Sequence, residues 1–156
     1  MGKLFGTDGI RGIVNDDLTA SLAFKIGASV SKVLKQELKK DNLTFLVGTD
    51  TRISKDMFTA SIISGVLSEN CNIIDLGIMP TPAISYLTKE LKKDGAFIIS
   101  ASHNPSKYNG IKVLDQNGYK LTEQMEEKIE RQIINFEENN QINKCGKILK
   151  TKDPTE

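Results

Sequence analysis

The sequence predicts an α/β protein: a three-layer α/β/α domain built on a mainly parallel, mixed four-stranded sheet. Three observations predict it. Short apolar runs rich in β-forming residues alternate with segments of helical periodicity, the pattern of a parallel sheet covered on both faces. The step from the third apolar run to the fourth is too short for a helical crossover, so that pair, if adjacent, is antiparallel and the sheet is mixed. Finally, 156 residues, 38% of them apolar and 26% charged, suit one soluble domain with a sizeable core.

Each element follows from a local signal. Thr19 is a candidate N-cap for a helix reaching about Lys39, with Ala23, Ile26, Val30, Val33 and Leu34 on one face. "LTFLVGT", from Leu43 to Thr49, is the first strand. Ser54 caps a second helix with Met57, Ala60, Ile63 and Leu67 at three- and four-residue spacings. "NIIDLG" is the second strand, ended by Gly77 and the Pro80–Pro82 break. Ala83 to Lys92 is the third helix and "GAFIIS", Gly95 to Ser100, the third strand. "NGIKVLD" is the fourth strand, followed by a turn at Gln116–Gly118. Met125, Ile129, Ile133 and Phe136 stripe a last helix with an acidic first turn. This places the domain at residues 1–138. Residues 139–156 read as a polar tail ending in "DPTE", a linker to a following second domain.

Composition excludes several function classes. There are 21 Lys+Arg against 20 Asp+Glu, a net charge of +1, so no general field draws nucleic acid or acidic lipid, and any anion is bound locally. No apolar stretch approaches a membrane span. Cys71 and Cys145 belong to no CxxC pattern, which suits a reducing compartment. The first residues carry no signal-peptide h-region, and Gly2 fails the myristoylation pattern because Gly6 stands where Ser or Thr is needed. The expected location is the cytoplasm.

Ligands of open α/β sheets bind beyond the carboxyl ends of the parallel strands. Three segments fit that edge: "FGTDGIRG" with Thr7, Asp8 and Arg11, "GTDTRIS" after the first strand, and Ser100 to Pro105 after the third. The glycines Gly6, Gly9 and Gly12 have the wrong spacing for a Walker A loop or a dinucleotide fingerprint. A Ser102–His103 hydrolase is disfavoured, since neighbours on an extended backbone point apart, no G-x-S-x-G elbow occurs and only one histidine is present. A serine that carries a phosphoryl group fits better, with Arg11, Arg52 and Lys112 as the cations that would hold the dianion. Taken singly, each of these cations reads more readily as a solvated surface residue, and His103 and Asn104–Pro105 as an ordinary turn; their company with glycines and a strand-end serine favours the phosphoryl reading.

"FGTDGIRG", "GTDTR", "PTPAISYLTK" and "GAFIISASHNPSKYNGIK" together resemble the first domain of the α-D-phosphohexomutases, most of all the phosphoglucosamine mutase branch. The resemblance runs from about Leu4 to Phe136. Tyr108 departs from it: that branch usually carries aspartate there, and an aromatic is more like the phosphomannomutase and phosphoglucomutase branch.

The resemblance implies that Ser102 is a phosphoserine that exchanges its phosphoryl group with a hexose or hexosamine 6-phosphate or 1-phosphate through a bisphosphate. It implies that Mg²⁺ binds a phosphate oxygen on Ser102, that Arg11 and Lys112 neutralise charge and handle the hydroxyl proton, and that His103 supports them. The family's D-x-D-x-D metal loop belongs to its second domain, and no such triplet occurs here. The remaining Mg²⁺ ligands and the sugar and phosphate loops are therefore expected in C-terminal domains beyond this chain, which alone should not turn over. The rival is a non-catalytic sugar-phosphate-binding module on the same fold.

Overall fold

Helix boundaries in the computed structural model, which describes residues 3–150, follow the local chemistry closely. Gly2 and the closing "DPTE" of the tail lie outside the described residues. The first strand, β1, is Ile10–Ile13, inside "FGTDGIRG". Helix α1, Ala20–Leu38, starts where the Thr19 hydroxyl accepts from the Leu22 N–H at 3.1 Å and stops at Lys39 in the left-handed region, φ 53°. Strand β2 is Thr44–Thr49. Helix α2, Lys55–Ser68, has Ser54 at its N-cap, but that hydroxyl does not cap it; it accepts from the amide of buried Asn109 at 2.8 Å instead. Strand β3 is Asn72–Ile78. Helix α3, Thr81–Glu90, begins two residues before the expected Ala83, because Pro82 has no N–H to lose in a first turn and its φ suits one.

Strand β4 is Gly95–Ile99 and β5 is Tyr108–Leu114. The turn that follows is drawn tight by Asp115, whose side chain accepts from Asn117 and Tyr119, with Gly118 at φ 79°. Helix α4, Glu123–Ile134, is capped by Thr122 and carries Glu123 and Glu126 in its first turn. Phe136 lies just past it, edge-on to Phe24 of α1. A two-residue strand, β6, Ile148–Leu149, comes last.

The strands form one sheet in the order β1-β5-β4-β2-β3-β6. β4, β2, β3 and β6 run parallel, whereas β5 is antiparallel to β4 and β1 to β5. The sheet is therefore mixed, as expected, but has six strands rather than four. The two extra strands are edges. β1 was hidden among glycines that read as turns, and β6 consists of two residues in a polar stretch.

Both faces are buried. Phe45 and Val47 face the larger core with Ile26, Phe58, Phe97 and Ile129, under α1, α2 and α4. Leu46, Ile74 and Ile98 point the other way into a smaller core with Ile84 of α3. Helices α1 and α2 cross closely because Gly27 has no Cβ, which would stand 2.6 Å from the Ile62 carbonyl. The result is three layers with unequal helix cover.

Candidate active site

β4 and β2 run parallel and end at the same rim, and the next residues build the site. The Ser100 N–H continues the ladder to the Gly110 carbonyl at 2.9 Å, and the Ser100 hydroxyl accepts from the Ser102 N–H at 3.1 Å. The chain then turns sharply: Ser102 adopts φ 56°. That left-handed conformation is sparse for a residue with a Cβ and costs about 1–3 kcal/mol. It leaves Ser102 exposed at the rim, with His103 exposed beside it. Two further turns, Asn104 N–H to Ala101 and Tyr108 N–H to Pro105, return the chain into β5. The extended backbone assumed for Ser102–His103 is thus a turn. Among the described residues no hydrogen bond joins the Ser102 hydroxyl to the imidazole.

The three cations take different positions. Arg11 on β1 pairs with Gly110, while Lys112 on β5 pairs with Ile98. Arg11, Gly110 and Lys112 alternate in register, so Arg11 and Lys112 share one sheet face, the one that carries Ile98. Lys112 lies one row below Ser100, about 7 Å along the strand, within a lysine's reach. Gly110 keeps the space between them open: a Cβ there would stand 2.7 Å from the Ser100 carbonyl and 3.0 Å from Arg11 Cγ. Arg11 Nη2 is 3.6 Å from Asp8, a loose, part-exposed pair. Its Nε is buried with no hydrogen-bond partner. Such a donor is costly to leave unmade, and an anion would satisfy it.

Arg52 is different. Nε donates to Asp50 Oδ2 at 3.2 Å, Nη1 to the carbonyls of Pro105 and Tyr108, and Nη2 to those of Ser102 and Asn104. All five N–H groups are engaged, so Arg52 is not a free cation beside Arg11 and Lys112. Asp50 and Asn109 belong to the same framework, since Asn109 bridges β5 to Ser54 and its Oδ1 accepts from Gly110. The motif "GTDTR" marked the segment; its contact with backbone carbonyls some fifty positions away has no sequence signature.

Beside the site, a pocket of about 120 Å³ is lined by Asp8, Gly9, Lys112, Lys120 and Glu126. Burial pushes the Glu126 carboxyl above the ordinary glutamate pKa, with Lys120 and Lys3 opposing. A groove of about 310 Å³ runs past Thr49, Asp50, Met79, Thr81 and Ser100 at the carboxyl ends of β2, β3 and β4.

Mg²⁺ does not fit the described residues as a complete site. No group of three acidic, histidine or cysteine side chains converges, both Asp50 oxygens accept from Arg52, and Asp8 pairs with Arg11. Among the described residues no helix is long and apolar enough to cross a membrane.

Comparison with known proteins agrees with this arrangement. Residues 2–140 match the family described as phosphoglucomutase/phosphomannomutase, alpha/beta/alpha domain I. The chain is 49% identical over 158 residues to a phosphoglucosamine mutase of Alkaliphilus metalliredigens, covering 99% of this chain and 35% of that protein. It is 51% identical over 135 residues to one of Clostridium novyi, covering 86% and 30%. A solved phosphoglucomutase/phosphomannomutase family protein from Burkholderia thailandensis superposes with a TM-score of 0.77 over 95% of this chain and 32% of that one; at 21% identity it speaks for the fold alone. The chain thus spans about a third of the length of the curated relatives it matches. With the family's domain I matched over almost all of its length and half of its residues shared with these relatives, the chain belongs to the phosphoglucomutase/phosphomannomutase family as its N-terminal α/β/α domain I.

Proposed function

We propose that this chain is the phosphoserine domain of a phosphosugar mutase, and that the whole protein interconverts glucosamine 6-phosphate and glucosamine 1-phosphate. What supports the reading most is the buried, unpartnered Nε of Arg11, on the sheet face that also carries Lys112. In this reading Ser102 holds the phosphoryl group. A sugar hydroxyl attacks its phosphorus, the P–O bond to Ser102 breaks as the P–O bond to the sugar forms, the hydroxyl proton passes to a base, and a proton is returned to the departing Ser102 oxygen. The bisphosphorylated sugar then reorients and returns its other phosphate to Ser102. Arg11 and Lys112 neutralise the charge that spreads over the transferred group, and Lys112 or its neighbours handle the proton. His103, exposed beside Ser102, takes a supporting part in the transfer.

Mg²⁺, bound through a Ser102 phosphate oxygen and through ligands from domains beyond residues 139–156, would act as a Lewis acid on the transferred phosphate. The polar stretch from residue 139, part of which joins the sheet as β6, leads on to those domains; the setting is the cytoplasm, and this domain by itself does not turn over. The name carried by the relatives favours the amino sugar. Tyr108, half-buried with the Lys107 ammonium 5.5 Å from its ring centroid, favours a second reading, a phosphomannomutase or phosphoglucomutase.

The test is made on the longer protein containing this chain. Ser102→Ala should abolish interconversion while the thermal transition stays in place, and intact mass of the wild type should show a partial gain of one phosphate mapping to Ser102. Near-normal turnover by Ser102→Ala would sink the mechanism. Glucosamine 6-phosphate against mannose 6-phosphate decides the sugar.

A further inference from the structure

We infer that Arg52 is a positioning residue for Ser102: its guanidinium holds residues 102–108 in the one loop conformation that presents the serine hydroxyl at the rim, instead of binding phosphate itself. The inference deepens the phosphoserine reading and rests on it for its kinetic consequence, though not for its structural one.

The geometry is specific. Four carbonyls, those of Ser102, Asn104, Pro105 and Tyr108, converge on Nη1 and Nη2 at 2.7–3.2 Å. The carbonyls of Ser102 and Asn104 have no backbone partner in this loop, and the guanidinium supplies one from within the protein, while Pro105 also accepts from the Tyr108 N–H. Only a planar fork with five donors serves four diverging acceptors and a carboxylate together; an ammonium has three donors on one atom. Asp50 aims the fork. Its Oδ2 accepts from Nε and its Oδ1 from the Arg52 backbone N–H at 3.0 Å, which balances the charge and fixes the side-chain plane. The Arg52 side chain is only 13% exposed, unlike a surface cation waiting for a ligand. The bond to the Ser102 carbonyl restrains the very residue held at φ 56°. Without it, that strain would relax and the hydroxyl would leave its place. Misplacing a reacting atom by about 1 Å can cost about 100-fold in rate.

Two measurements test this. The first is amide hydrogen exchange on the chain itself, comparing wild type with Arg52→Lys and Arg52→Gln. The Asn104 and Tyr108 amides, which donate within the loop, should exchange at least about tenfold faster, while α1 and α4 stay within about twofold. Unchanged loop protection overturns the inference, and so does an equal loss in loop and helices, which would make Arg52 a general stability residue. Should Arg52→Gln fail to fold, Asp50→Asn keeps all four carbonyl acceptors and should loosen the same amides to a smaller degree; no effect there counts against the aiming role. The second is steady-state kinetics on the longer protein. Arg52→Lys should lower kcat about tenfold or more with KM within about threefold, and guanidinium ion added to Arg52→Ala should restore part of kcat. A raised KM with kcat kept would make Arg52 a sugar-phosphate ligand and overturn positioning. If the wild-type longer protein interconverts no hexose phosphate, the mutase reading fails, and the exchange result still decides the loop.

Discussion

Ser102, Arg11 and Lys112 each solve a different local problem, and each was visible in the sequence to a different degree. Ser102 was legible as a strand-end serine, but its left-handed backbone was not, because serine carries no preference for that region. Arg11 and Lys112 could be placed on the same edge from "GIRG" and "NGIK". Their shared face follows only from the pairing of Arg11 with Gly110 and of Lys112 with Ile98. The sequence groups Arg52 with them as a third cation, and its five bonds remove it from that group. At this scale, Arg11→Ala and Lys112→Ala in the longer protein should each lower kcat about 100-fold or more, as expected when a preorganised charge is taken from a phosphoryl transition state. Steady-state assays check this, and wild-type kinetics in both variants would return the two residues to ordinary surface roles.

Strands β1, β5 and β4 meet over Gly110, and that contact tolerates little. Gly110→Ala should destabilise the chain by about 1–3 kcal/mol, because the added Cβ meets backbone at the Ser100 carbonyl rather than a side chain that can swing away. Denaturant unfolding reads this directly, and an unchanged midpoint would show that β5 can shift. Helix α4 offers a pH test. Burial raises the Glu126 pKa in the folded state, so the folded protein binds that proton more tightly than the unfolded chain does. Stability from this group is greatest below the ordinary glutamate pKa. It falls as pH rises through the window up to the raised folded value, and stays reduced above it. Glu126→Gln should therefore raise Tm at pH 7 and change it much less at pH values well below the ordinary glutamate pKa, as thermal melts across pH would show. A melting curve lowered at pH 7 would mean that Lys120 and Lys3 outweigh burial.

The molecule as a whole closes a core on both sheet faces, and its tail is stitched on by backbone bonds from Gly146 to Leu67 and from Lys147 to the Asn72 side chain. A single cooperative thermal transition is expected for the chain alone. Metal binding is another matter, since both candidate aspartates are engaged by arginines. Calorimetric titration with Mg²⁺ should show nothing tighter than about millimolar, given the ion's demand for near-octahedral oxygen ligands. Micromolar binding would mean that Asp8 or Asp50 leaves its arginine to complete a site, and the sharing of ligands between domains would be wrong.

What the sequence by itself determined is what a window of a dozen residues can carry. The four helices, the four inner strands, the cap at Thr19 and the antiparallel β4–β5 pair all follow from periodicity, capping chemistry and loop length. The tertiary structure decided what depends on a distant partner. β1 and β6 are strands only because β5 and β3 offer free edges. Ser54 gives up its capping bond because Asn109 arrives from β5. Arg52 becomes a clamp because four loop carbonyls come within reach. Every residue carries a carbonyl, so no pattern of side chains announces which ones will converge on a guanidinium; only the folded chain brings them there.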